Sequence, residues 1–103
     1  MDLALIPWPD DDPPTEAALR GALERDGFAP FAWTDAPGAR YTPHSHDHDE
    51  SIWCVRGEIT FGAGGRSLRL GPGDRLMLPA GTVHTAHIGP DGATYLIGQR
   101  DPG

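Results

Sequence analysis

Residues 44–51 read HSHDHDES, so three imidazoles and a carboxylate crowd together at His44, His46, His48 and Glu50. Imidazole and carboxylate are ligands that first-row divalent metals favour, and histidine is the side chain best suited to move a proton near neutral pH. Alternate residues of a strand share a face, which sets the alpha carbons of His44 and His46 roughly 6 to 7 Å apart. Their rings can then lean onto one ion. A His-x-His pair also occurs at solvated strand ends, and Glu50 fits an exposed loop as well as a return of the chain to the same point. On their own these residues leave both readings open.

The rest of the chain says what must position them. With 103 residues it is long enough for one core and too short for two. Fourteen glycines and eleven prolines lie scattered between short apolar runs and form no repeat, the distribution of tight turns between strands. Residues 1–14, rich in Pro and Asp, are expected as an extended arm pinned by Trp8. In TEAALRGALERDG, Ala18, Leu19, Ala22 and Leu23 recur at helical spacing, Thr15 is placed as N-cap and Gly27 as the stop. From Phe28 onward eight strand-like runs follow: FAPFAWT, ARYTPHSH, SIWCV, EITFG, RSLRL, DRLMLP, VHTAHI and ATYLIGQ. GAGG reads as a hairpin loop and GPGD as a tight turn. Short strands with turns this regular favour closure into a barrel or sandwich, because closure disposes of the edges. The expected layout is an arm and helix over 1–27 packed on a barrel over 28–103, within one domain.

The punctuation around the histidines is more specific than the histidines themselves. Gly38 stands six before His44, Glu50 four after His46 and Gly57 seven after Glu50; farther on come Gly73, Pro79, Gly81 and His84. These positions resemble the two motifs of the cupin family, G-x5-H-x-H-x(3,4)-E-x6-G and G-x5-P-x-G-x2-H-x3-N. Only the final Asn departs, replaced by Ile88, and the family does not use it as a ligand. The resemblance implies an all-β antiparallel double-stranded β-helix, or jelly-roll barrel, carrying one short N-terminal helix. It also implies one divalent transition metal (Fe, Mn, Co, Ni, Cu or Zn) held by His44, His46, Glu50 and His84. In a six-coordinate ion such a set leaves two positions open, which suits a reactive rather than a closed structural site.

Function follows as a set of competing expectations. The first is a metal-dependent enzyme, of dioxygenase or isomerase type, acting by oxygen-dependent or Lewis-acid chemistry on a small organic molecule. The second is a non-catalytic module that binds a metal or small ligand, and the third a purely structural metal. His48 is the candidate acid or base, since it continues the alternation of His44 and His46, though a place near the barrel rim is the plainer expectation. Asp47 and Asp49 fall out of register and are expected in water, and His87 on the surface. Cys54 reads as a small buried wall residue, and Trp33, Trp53, Tyr41 and Phe61 as core or subunit-contact residues. Arg40 and Arg75 are weighed as clamps for an anionic substrate at the barrel mouth, against the commoner surface role.

The formal net charge of -7 comes wholly from residues 1–50, with eleven acids against three arginines, and no basic patch invites nucleic acid or anionic lipid. One cysteine rules out an internal disulfide, and the first residues carry no export signal or membrane span, so a cytoplasmic location is expected. From the resemblance, a homodimer is expected as well.

Overall fold

A computed structural model describes residues 1–102. Its strands are β1 (Ala4–Ile6), β2 (Ala29–Asp35), β3 (Arg40–His44), β4 (Asp49–Ala63), β5 (Arg66–Leu70), β6 (Arg75–Leu78) and β7 (His84–Arg100), with one helix, α1 (Glu16–Arg25). All pairings are antiparallel. β4 and β7 run side by side along their whole length, β5 and β6 flank the two halves of β4, and β3 and β2 flank the two halves of β7. This is the expected all-β antiparallel cupin-type barrel with one short helix. Among the described residues no helix is long and apolar enough to cross a membrane.

Eight expected runs become seven strands because two pairs of runs fuse. SIWCV and EITFG join in β4, VHTAHI and ATYLIGQ join in β7, and the arm contributes β1, paired with β6. The fusions depend on a bend that both long strands make together. Register shifts fall between Cys54 and Arg56 and between Gly57 and Ile59, opposite residues 88–95 of β7. There the inward parity switches from Ile52 and Cys54 to Ile59 and Phe61 on β4, and from Ala86 and Ile88 to Ala93 and Tyr95 on β7. Gly57 has φ +82°, and a Cβ on it would lie 2.1 Å from the carbonyl oxygen of Gly92, so only glycine lets the strands cross this closely.

Two apolar clusters follow from the pleat. Ile52, Cys54, Ile59, Phe61, Leu70 and Ile88 fill the barrel, and Ile88 at the odd motif position is fully buried among them. On the outer face, Leu19 and Leu23 of α1 pack with Phe28 and Leu96, against partly buried Trp53 and Val55. Burying the two helix leucines contributes roughly 1.5–3 kcal/mol each. Thr15 caps α1 by accepting the amide of Ala18 at 3.2 Å. The arm is held by the Trp8 amide, which donates to Asp74 at 2.9 Å, and by the Trp8 ring, which fills the space a Cβ on Gly73 would occupy.

Candidate metal centre

Register puts the histidines together. His44 of β3 and His84 of β7 are direct cross-strand partners, and their rings lie 4.3 Å apart. His46 leaves β3 in a turn, and its carbonyl accepts the Gly81 amide at 2.8 Å, which ties the first histidine segment to the turn that precedes His84. Its ring stands 5.0 Å from His44 and 5.2 Å from His84. Nitrogen atoms of these three rings come within 4.8 Å of one another.

The tautomers suit a cation. Nδ1 of His44 sits 2.7 Å from the carbonyl oxygen of Thr42, and Nδ1 of His84 sits 2.9 Å from that of Thr82. A carbonyl oxygen can only accept, so each Nδ1 carries a proton, and the neutral form of either ring has its lone pair on Nε2. Burial pushes His84 below the ordinary imidazole value, against the pull of the Thr82 carbonyl, and so favours this neutral form. The donor set of three imidazoles beside a buried carboxylate therefore fits a divalent transition metal.

Glu50, at the start of β4, is 5 % exposed. Its Oε1 lies 3.7 Å from Nε2 of His46, while Oε2 accepts from Nε2 of His48 at 3.0 Å. A second group of close ligand atoms is thus His46, His48 and Glu50. The Glu50 hydrogen bond, helped by Asp47 at 3.3 Å, raises His48 above the ordinary value despite some burial. His48 does not line the pocket above the other three histidines; it approaches Glu50 from the side and lines a separate hollow with Gln99, Arg100 and Asp101. For the residue expected to serve as acid or base, this geometry offers a grip on Glu50 in place of a face toward a ligand.

A pocket of about 280 Å³ opens over His44, His46, His84 and Glu50. Ile52, Ile59, Phe61 and Ala86 form its depth, and Phe31, Trp33, Tyr41 and Tyr95 its aromatic upper wall. Asp35 organises that wall. Its Oδ1 accepts from Tyr41 at 2.6 Å and from the Trp33 indole at 3.1 Å, and its Oδ2 accepts from Tyr95. The Asp35 carboxylate raises the Tyr41 phenol, and burial together with Asp35 drives Tyr95 far above the usual phenol value. Both hydroxyls remain protonated donors.

Several expectations are corrected here. Asp49 is not solvated: it is 7 % exposed, accepts the Ala80 amide at 2.8 Å and lies 3.8 Å from Arg100, so it braces the turn before His84. Arg75 does not reach the mouth. It lies beneath α1, bonded to Ser51 at 2.6 Å and Asp26 at 2.9 Å, with its guanidinium 4.4 Å from the Trp53 ring. Arg40 is exposed on β3 and is not part of the pocket wall. Of the residues expected in the core or at a subunit contact, Trp33 and Tyr41 lie outside the core and line the pocket, whereas Phe61 is core. His87 is exposed and Cys54 is fully buried, both as expected, and burial pushes the Cys54 thiol up to about 12. The role of Phe31, Asp35, Tyr95 and Gln99 was not read from sequence. The alternation Phe31, Trp33, Asp35 was the available signal, since it places two aromatics and an acid on one strand face.

Comparison with known proteins points the same way. The sequence model of the cupin domain family matches residues 31–97. Quercetin 2,3-dioxygenase of Bacillus subtilis (strain 168) is 36% identical over 67 residues, covering 64% of this chain and 20% of that protein. The structure of KdgF from a Halomonas species superposes with a TM-score of 0.60 at 32% identity, over 71% of this chain and 70% of that one. A variant of oxalate decarboxylase from Bacillus subtilis gives 0.63 at 26% identity, over 73% of this chain and 21% of that one. The chain therefore spans only about a fifth of the dioxygenase and of the decarboxylase.

Proposed function

Since the chain belongs to the cupin family, we propose that it is a metal-dependent protein in which His44, His46, His84 and Glu50 hold one divalent transition metal beneath a pocket for a small organic molecule. The observation that carries this reading is the pair of Nδ1 bonds to the Thr42 and Thr82 carbonyls, which leave Nε2 of both rings without that partner while ligand nitrogens of all three histidines gather within 4.8 Å. A bound metal would supply Lewis-acid or oxygen-dependent chemistry of the dioxygenase or isomerase type. The chain's own residues bind and orient: apolar side chains line most of the pocket, and Asp35 fixes the two phenols and the indole in its wall. His48 is a positioning residue. It holds one oxygen of Glu50 and leaves the other toward His46.

One observation favours the non-catalytic alternative. Among the described residues lining the pocket, the two phenols are already committed to Asp35, so beyond the ligand set no acid or base stands free. Oxygen uptake by metal-reconstituted protein with diketones and catechols separates the two, and silence across metals favours the binding module. The metal reading itself rests on elemental analysis of untagged protein. About one equivalent per chain is expected in the wild type and its loss in His46→Ala; wild type without metal, or a variant that retains it, overturns the assignment.

A further inference from the structure

We infer that the pocket selects an uncharged, planar molecule about one substituted ring in size, seated against Trp33 with its oxygens toward the histidines. The inference rests on the metal-site reading above and adds to it the chemical class of the ligand.

Size comes first. A cavity of about 150 Å³ holds a benzene molecule, and the volume here, about 280 Å³, is under twice that. It lies at the lower limit for drug-sized ligands, so a single ring with its substituents fills it.

The walls give the shape and polarity. The described residues include six large apolar side chains that remain exposed, and three of them, Phe31, Trp33 and Tyr41, stand together at this mouth. Trp33 is 49 % exposed even though its indole N–H is bonded to Asp35. Phe31 and Trp33 share one face of β2, and their cross-strand partners Ile97 and Tyr95 continue that face on β7. Exposed aromatic surface grouped at a cavity is area that a ligand would remove from water, and aromatic faces favour a flat partner.

Charge completes the argument. All eight basic residues are arginines, and among the described residues none lines the pocket. Arg75 is taken by Asp26, Arg69 by Glu58, and Arg100 lies beside Asp49. The acidic side chains of the pocket are Glu50 in its lining and Asp35, bonded to its two phenols. A carboxylate in the outer half of a ligand would lose water against aromatic rings with no cation to compensate.

Two isosteric catechols test this by calorimetry under anaerobic conditions, with zinc as a redox-silent metal. 3,4-Dihydroxyacetophenone and 3,4-dihydroxybenzoate share the metal-seeking end and differ in the charge of the outer group. The ketone is expected to bind zinc-loaded protein at least about tenfold more tightly than the acid, and Trp33→Ala to weaken the ketone by about tenfold. Zinc content should be unchanged in that variant, whose replaced side chain is half exposed. An acid that binds as tightly as the ketone, a ketone indifferent to Trp33→Ala, or no binding of either compound overturns the inference. Protein that takes up no zinc overturns the metal reading instead, and the same titrations on that protein still decide the pocket's charge preference.

Discussion

His44 and His84 are oriented by the same local device, a ring bonded through Nδ1 to the carbonyl of the threonine two residues earlier. The repetition matters because a neutral, oriented imidazole needs no rearrangement to accept a cation. His48 behaves differently: the Glu50 carboxylate favours its charged form and raises it. A histidine raised on folding contributes stability that is fully present below its unfolded value and is lost as pH rises through the folded one. Metal-free wild type should therefore melt a few degrees above metal-free His48→Gln near pH 5.5, and the gap should close toward pH 8.5. His84 is lowered and acts in the opposite sense, but it is common to both proteins and cancels in the comparison. Thermal melts at the two pH values check this, and a gap independent of pH would show that the His48–Glu50 bond carries no such charge.

At the scale of elements, the site depends on how β4 and β7 cross. Their shared bend lets each strand face the barrel interior with different parity at its two ends, so that β7 presents His84 at one end and Tyr95 at the other. Gly57→Ala should be severely destabilising, on the order of 3 kcal/mol or more, because the added carbon meets backbone that cannot move aside. Gly65→Ala is the control: φ there is +74° but nothing lies within 4 Å, so the cost should be about 1 kcal/mol. Urea denaturation of the two variants separates crowding from backbone strain, and equal losses would remove the close approach as the cause. The same crossing explains what was legible in the sequence. The proposed ligand residues could be named because their spacing along the chain is itself the signal, and the helix because its cap and leucine spacing are local. The aromatic wall was not legible, since whether Trp33 faces the barrel depends on the β2–β7 register. Asp49 misled for a related reason: alternation put it opposite Glu50, yet the turn at Ala80 folds back over it and buries it.

Across the whole molecule, the proposed ligands come from three places that the sheet and the Gly81–His46 bond bring together: the end of β3 and its following turn, the start of β4 and the start of β7. A cation shared among them cross-links segments some forty residues apart in a chain whose acids are concentrated in its first half. Binding to the folded state alone stabilises it by RT ln(1 + [L]/Kd), about 4 kcal/mol when free metal is a thousandfold above Kd. For a domain of this size that corresponds to a rise in Tm of roughly 15–30 °C. Zinc should produce such a rise in the wild type and little of it in His46→Ala, whose ligand set is broken. The rise should also be local in origin: hydrogen exchange should slow most in residues 44–50 and 79–84, where the ligands and the Gly81–His46 bond lie, and least in α1 on the far side of the sheet. A rise in Tm that His46→Ala keeps in full, with exchange slowed away from residues 44–50 and 79–84, would mean that zinc binds elsewhere on the acidic surface, and the four residues would then be a polar lining of the pocket instead of a metal centre.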